Sequence, residues 1–334
     1  MKNILLIGGA GYIGTVITSF FLKKNYNVKV LDNLIYDNSF SIQSFKKHSN
    51  FTFINGDLSD YKKLELASKN VDYVVLLAGL VGDPITKKYP LESEFINDKY
   101  LKKCIDFFDN KDILNLIFIS TCSNYGLIKD DEVADEDFEL KPLSLYAKAK
   151  VLIENYLINK KNKVNYSATI LRFATAFGLS PRMRFDLTIN QFTIELFLKK
   201  ELVVFDENTW RPYCHVNDFA KLIYNVINTK KDNIHFQIFN AGGNKNNYTK
   251  KMIIDYITSK IKNTNIIYNQ NDSDPRNYKV SFDKVKDVLG FEPEFSVEMG
   301  IVELIEKLKN NSFSNYLNQN HIYGNYKINY KIKE

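Results

Sequence analysis

The chain has 334 residues, 45% of them apolar, with 14 glycines and 7 prolines, a composition that excludes a disordered chain and suffices for a large core. Its formal charge of +6 comes from lysines scattered singly and in short pairs, without the clustered basic stripe that nucleic-acid binding requires. Cys104, Cys122 and Cys214 lack metal or redox spacing, and the apolar run before Gly8 is too short for a signal peptide or membrane span; the expectation is a cytoplasmic protein that engages neither membrane nor nucleic acid.

Along the chain, apolar runs of strand length alternate with amphipathic stretches of helix length. Strands are expected at Asn3–Ile7, Asn27–Leu31, Phe51–Ile54, Val71–Leu77, Leu114–Ser120 and Ser167–Leu171, and helices at Tyr12–Lys24, Lys62–Ser68, Leu91–Phe108 and Ser144–Asn159. Continuous Val/Ile/Leu strands indicate burial on both faces, and alternation with helices indicates crossovers, so residues 1–175 are expected to form a doubly wound α/β domain on a parallel sheet. Residues 176–310 change pattern. After the polar loop Gly178–Arg184 come helix-like Leu187–Lys199, Val216–Val226 and Lys250–Ile261, with strand-like Leu202–Phe205 and Phe236–Phe239. They read as a smaller C-terminal α/β domain for the substrate. Residues 311–334 are polar and Tyr-rich without period, which suggests a loosely held tail.

The first strand runs into ILLIGGAGYIG, with Gly8, Gly11 and Gly14 opening the first helix. Such a loop needs one glycine for the tight turn, one for close backbone approach to a pyrophosphate and one for helix–strand packing, with the phosphates at the positive helix end. Asp32 closes the next strand, VKVLD, where its carboxylate can accept from both ribose hydroxyls and would repel a 2′-phosphate, so the expected cofactor is NAD. Tyr12 and Ile13 in the loop and Asn33 beside Asp32 join this set, as do Asp57 and Leu58 after the third strand and Ala78 and Gly79 after the fourth. Capping the next helix is the alternative for Asp57.

Tyr146 and Lys150 lie four apart in SLYAKAKVLIENYL, on one face of a helix. A free tyrosine titrates near 10, and lowering it by about three units takes roughly 4 kcal/mol. A positive charge about 4 Å away at an effective dielectric near 20 supplies about that much. Lys150 and a cationic nicotinamide would together make Tyr146 a base for a substrate hydroxyl. Thr121, ending the strand in FISTCSNYG, would orient the reacting oxygen or simply terminate the strand.

In combination GGAGYIG, Asp32, GDLSD, LLAG, Asn97, STCSNYG, Y-x-x-x-K and LRFATAFG resemble, in order and over residues 1–300, the nucleotide-sugar epimerase/dehydratase branch of the extended short-chain dehydrogenase/reductase family. The resemblance implies a Rossmann domain, a nucleotide-diphosphate-sugar substrate and a homodimer built by a four-helix bundle from the helices carrying Asn97 and Tyr146. It makes Thr121, Tyr146 and Lys150 the catalytic set and adds Asn97 to the cofactor contacts. Arg211 in WRPYCHVNDFA and Arg276 in DPRNYKVSFDKVKDVLGFEP match the segments whose arginines hold the diphosphate, for which a planar guanidinium fork suits. Thr121, Cys122, Ser123, Thr175, Arg182, Arg184 and Asn190 are the further expected substrate contacts.

One departure narrows the reaction. Sugar 4,6-dehydratases of this family place Asp-Glu after the catalytic Thr, whereas here Cys122 and Ser123 follow Thr121. The expected chemistry is therefore oxidation at C4, as a net 4-dehydrogenase of the GDP-heptose type or as a 4-epimerase, in bacterial surface-polysaccharide sugar synthesis. STCSNYG and SPRMRFDLTIN look closest to the GDP-heptose enzymes. Cys122 is an acid/base candidate or a space filler. A non-catalytic NAD-binding regulator is the alternative from another class. No metal is expected, because the four histidines form no ligand pair.

Overall fold

The computed structural model describes residues 1–129, 131–269 and 276–332. Its central sheet contains β1 (Asn3–Ile7), β2 (Asn27–Asp32), β3 (Phe51–Asn55), β4 (Tyr73–Leu76), β5 (Asn115–Thr121), β6 (Ser167–Phe173) and β7 (Gln237–Ala241). All neighbours pair in parallel, in the order β3-β2-β1-β4-β5-β6-β7. The unbroken apolar runs reflect burial on both faces, and β5 and β6 are buried at every residue. Alternate side chains serve two cores. Ile4, Leu6, Val28 and Val30 join one cluster, while Leu5, Ile7 and Leu31 join the other. The chain builds outward from β1 in one direction and from β4 in the other, so a crevice opens where their carboxyl ends diverge.

The expected boundary at residue 175 is crossed by the chain. The strand expected in the smaller half becomes β7, which extends the main sheet in register Gln237↔Thr169 through Ala241↔Phe173. The helix Val216–Asn228 likewise packs on Tyr12–Lys23, where Tyr224 meets the rings of Phe20 (5.9 Å) and Phe21 (6.3 Å). An apolar strand does not encode which sheet it joins; the exposed edge of β6 decides that. What remains of the smaller half holds a sheet of Thr175–Phe177, Trp210–His215 and Asn247–Thr249, and the parallel pair Glu201–Phe205 and Asn265–Asn269.

Two further expectations change. Leu91–Phe108 is not one uniform helix: Pro90–Glu94 passes into a π-helical turn, Phe95–Tyr100, before Leu101–Phe108. That turn holds Asn97, and such bulges mark places where a side chain is re-aimed. The polar tail is not loosely held. Tyr316, Tyr323 and Ile328 are buried, Phe185 is ringed by Phe313, Tyr316 and Tyr323, and the segment bonds to both halves of the molecule. Tyrosine side chains give this stretch apolar area that a periodicity search misses.

Candidate active site

A cleft of about 870 Å³ follows the carboxyl ends of β1, β2, β4 and β5. Gly8, at the end of β1, has φ +86°, and a Cβ there would stand 2.5 Å from Ala78 N. A Cβ at Gly14 would stand 2.6 Å from Gly9 Cα. At Gly11 only Gly8 O, at 3.5 Å, would touch one. The first and third glycines thus allow chain-to-chain contact, and the second leaves open space over a helix start that no side chain caps. Such a cradle fits a dinucleotide pyrophosphate.

Asp32 lines the cleft. Ala10 N donates to its Oδ2 (2.9 Å) and Leu34 N to its Oδ1 (2.8 Å). Burial pushes its pKa up, against these amides and the charge of Arg182. Each oxygen keeps a second lone pair, which fits ribose hydroxyls. Ile13, Asn33, Leu58, Ala78 and Gly79 also face the cleft. Asp57 stands behind it, accepting from Asn33 Nδ2 and Ser59 N, each at 2.8 Å. It does not cap the following helix; Asp60 does, accepting from Lys62 N and Lys63 N. Asn97 also sits outside the lining. It accepts from Leu80 N (2.7 Å) and donates to Leu80 O (3.0 Å), so it braces the loop after β4. Tyr12 lines the cleft, with its hydroxyl turned to Gly178 O (2.7 Å).

Ser144 caps the helix Leu145–Ile158, accepting from Ala147 N (3.1 Å), and that helix carries Tyr146 and Lys150 to the end of β5. Thr121 lines the cleft beside Tyr146, and its side chain favours the ionised phenol. Lys150 Nζ donates to Ile119 O (2.7 Å) and lies 5.9 Å from the Tyr146 ring centroid. The electrostatics differ from the expectation. Burial raises the Tyr146 pKa and the Asp83 carboxylate raises it further; Arg184 and the Thr121 side chain oppose them. Lys150 is itself pushed down to about 8 by burial, with Glu154 opposing. Among the protein's own groups, desolvation therefore dominates and favours the protonated phenol.

Beneath the trio lies a buried polar network. Glu154 accepts from Arg172 Nη2 (2.8 Å), Asn124 Nδ2 (2.8 Å) and the Ser120 hydroxyl. It fixes the helix Leu145–Ile158 to β5 and β6 beside the cleft, which Ser120 itself lines.

The expected substrate contacts divide. Thr121, Ser123, Thr175, Arg182, Arg184, Arg211 and Arg276 face the cleft. Ser123 Oγ and Tyr278 OH share a hydrogen bond (3.2 Å). Arg211 lies over the Tyr278 ring at 4.9 Å, and Arg276 Nη1 pairs with Asp83 Oδ2 at 2.8 Å. Arg276 itself is described, whereas Asp274 and Pro275 of its motif lie outside the described residues. Arg182 sits nearer the cofactor end than expected, over the Tyr36 ring at 5.0 Å and coupled to Asp32. Its pKa is pushed down to about 10 by burial and by Arg184. Arg184 is held in a fork by Asp186, at 2.9 and 2.7 Å.

Cys122 and Asn190 do not reach the cleft. Cys122 points to the opposite side of the strand end, donates to Arg172 O (3.1 Å), and has its pKa raised by burial, so it fills space. Asn190 is fully buried, and its amide is committed to Gly178 N (3.1 Å), Tyr12 OH (3.0 Å) and Arg184 O (2.9 Å). Sequence reasoning missed Tyr36, Asp83, Asp186, Tyr278, Asn325 and Tyr326, all of which line the cleft. Tyr278 is two residues from Arg276 and Asp83 follows the LLAG segment, so proximity to a motif was a usable signal there. Among the described residues no cluster of His, Cys, Asp and Glu can hold a metal ion, and no helix is long and apolar enough to cross a membrane.

A parallel sheet with this strand order, a glycine loop on β1, an acid ending β2 and a Tyr–Lys helix beside β5 defines an oxidoreductase of the dinucleotide-binding class. Residues 4–242 match the model of the NAD dependent epimerase/dehydratase family, and the chain belongs to that family. It is an NAD-dependent enzyme of that type. Among its relatives are a UDP-glucuronate 4-epimerase of Thermodesulfobacterium geofontis (26% identical, covering 93% of this chain and 97% of the relative) and a UDP-glucose 4-epimerase of Corynebacterium glutamicum (25%, 90% and 94%). The fold is shared with the UDP-glucuronic acid 4-epimerase of Bacillus cereus, solved with UDP-glucuronic acid and NAD (TM-score 0.82, 24% identical, covering 92% of this chain and 99% of that one).

Proposed function

We propose that the protein is an NAD-dependent oxidoreductase that oxidises the C4 hydroxyl of a nucleotide-diphosphate sugar and acts as a 4-epimerase. The observation that carries this is the meeting of Thr121, Tyr146 and Lys150 in one cleft at the end of β5, the same cleft that holds the glycine cradle. Bound NAD supplies the hydride acceptor and a cationic ring. Tyr146 takes the C4 hydroxyl proton, Thr121 aligns the oxygen, and Lys150 holds the helix to β5 while its charge opposes that of the buried phenolate. Arg211 and Arg276 are placed to grip the diphosphate. The neutral Ser123 in the cleft and the turned-away Cys122 support a reaction without water elimination.

A second reading is net 4-dehydrogenation of a GDP-linked heptose, in surface-polysaccharide synthesis. It is favoured by the SPRMRFDLTIN segment, whose Arg182, Arg184 and Asp186 line the cleft. Incubation with UDP-, GDP-, CDP- and dTDP-sugars, followed by mass spectrometry and NMR of the products, separates the outcomes. Unchanged mass with a shifted C4 proton signal identifies an epimerase, and loss of two hydrogens a dehydrogenase; loss of water overturns both.

Residues 1–175 together with β7 would hold NAD, and most of 176–310 the sugar nucleotide. Exposed Leu145 and Leu152, seven apart on one helix, and Leu91 on its neighbour support a homodimer through a four-helix bundle. Three buried free cysteines are in keeping with a reducing cytoplasm.

A further inference from the structure

The loop that brings Arg182, Arg184 and Asp186 to the cleft is tied to the C-terminal segment at every second residue or closer. Gly324 O accepts from Arg182 Nη2 (3.0 Å), Tyr323 O from Phe185 N (2.7 Å), and Asn325 N donates to Asp186 Oδ2 (3.1 Å). The Phe185 ring, 1% exposed, is closed in by Phe313, Tyr316 and Tyr323. The segment is fastened in turn to the stretch after β4, where Val81 O accepts from Asn325 Nδ2 (3.2 Å) and Lys88 Nζ donates to Tyr326 O (2.9 Å). Its Ile328 enters the core cluster of Leu5, Ile7 and Leu31. All of it lies beyond residue 300, where the family's motifs end.

These ties converge on one carboxylate. Asp186 Oδ1 accepts from Arg184 Nε (2.9 Å), and Oδ2 accepts from both Arg184 Nη2 (2.7 Å) and Asn325 N. A two-point fork fixes a guanidinium plane that a long side chain would otherwise leave mobile. Arg184 is 8% exposed and lines the cleft, and Nη1 lies outside the fork. Its Nη2 stands 4.0 Å from where a Cβ on Gly82 would be, one residue before Asp83. The helix Asp83–Lys88 packs against the helix of Tyr146. Arg184 and Asp83 therefore act on the phenol from neighbouring positions and in opposite senses: the guanidinium favours its ionisation and the carboxylate opposes it. The other groups around the phenol are Tyr278, Lys150 on its own helix and Arg276, which pairs with Asp83. Those around Arg184 are Asp186, Arg182, Tyr36 and Tyr12.

We infer that the C-terminal segment is a brace for the arginine loop: through the backbone of Asn325 and the carboxylate of Asp186 it holds the Arg184 guanidinium at the Tyr146 end of the cleft. Asp186 is then a positioning residue, and residues far from the reacting atoms in sequence tune the base. This rests on the reading given above, in which Tyr146 takes the substrate proton.

The test is kcat/KM against pH for full-length chains, with whichever of the UDP-, GDP-, CDP- and dTDP-sugars gives the highest turnover. Arg184→Gln removes the charge that favours the phenolate, so the acid limb is expected to rise by about one pH unit, a tenfold loss on its acid side. Asn325→Pro removes the N–H given to Asp186 and is expected to move the limb in the same direction by less. Asn325→Ala keeps that N–H and moves it less than Asn325→Pro does. Tyr323→Ala, which strips a ring from Phe185, releases the brace at a second point and carries the test should Asn325→Pro fail to fold. Placed on Arg184→Gln, either brace variant is expected to add no further shift, because the brace acts only through that guanidinium. A limb that stays at the native pH in the brace variants, or that shifts equally with and without Arg184, overturns the brace while leaving the functional reading intact. A native chain that turns over no nucleotide sugar overturns both.

Discussion

Arg276 and Asp83 form an ion pair, Nη1 to Oδ2 at 2.8 Å, in the wall of the cleft that holds Tyr146. The pair joins a residue of the second half to the segment after β4, and it brings a carboxylate near the Tyr146 phenol. That carboxylate opposes ionisation of Tyr146. Asp83→Asn removes the opposition and lowers the phenol's pKa. A base works in its deprotonated form, so the acid limb of kcat/KM against pH moves to lower pH in the variant. An unmoved limb, or one shifted to higher pH, contradicts the role given to Asp83.

Tyr146→Phe removes the proton acceptor and leaves the glycine cradle untouched. Turnover is expected to fall by about 10²–10⁴-fold, the range for one positioned acid–base group. NAD affinity, measured by calorimetry, stays within a few-fold. A variant that keeps its turnover contradicts the role of proton acceptor given to Tyr146.

Lys150 titrates near 8 in the folded chain, below an ordinary lysine, because burial disfavours its charge. The unfolded chain therefore holds more protons than the folded one between about pH 8 and 10.5, and stability from this group rises with pH across that window. Buried cysteines and tyrosines whose pKa values are raised act in the opposite sense above about pH 9, so the useful quantity is a difference. The stability of the native chain minus that of Lys150→Met is expected to increase from pH 7.5 to 9.5 by about 1–3 kcal/mol. A flat difference in urea titrations would show that Lys150 is not desolvated.

Glu154 and Arg172 form a buried pair, with side chains 2% and 4% exposed, and Ser120 and Asn124 also depend on the carboxylate. Glu154→Gln leaves a buried guanidinium without its counter-charge, at a cost of about 3–5 kcal/mol. A large fall in Tm is expected, well beyond that of a surface Glu→Gln control. Because Glu154 lies one turn from Lys150, the affinity for NAD should change less than kcat.

The sequence carried the parts of the site that depend on local chemistry. The glycine spacing, Asp32 at a strand end and the Tyr146–Lys150 spacing each impose a requirement within a few residues, and the fold meets them. It did not carry what depends on assembly. Phe236–Phe239 reads as a strand in any sheet, and only the open edge of β6 makes it β7. Asn97 and Asn190 are polar residues on helices near the site, but which way an amide points is set by the loops it must satisfy, Leu80 for one and Gly178 for the other. Cys122 was partly legible, since Thr121 and Ser123 face the cleft and the residue between them turns away. Asn325 and Tyr326 come from a stretch with no period, and their partners Val81 and Lys88 lie 244 and 238 residues earlier.

The provenance of β7 has a practical consequence. An apparently self-contained nucleotide-binding module cut at residue 175 would leave β6 as a bare terminus of the sheet, with its backbone donors and acceptors facing outward along Thr169–Phe173. Unpaired strand edges of that kind recruit other chains. Attempts to graft or express the first half alone should therefore yield aggregates unless residues 237–241 are supplied in trans.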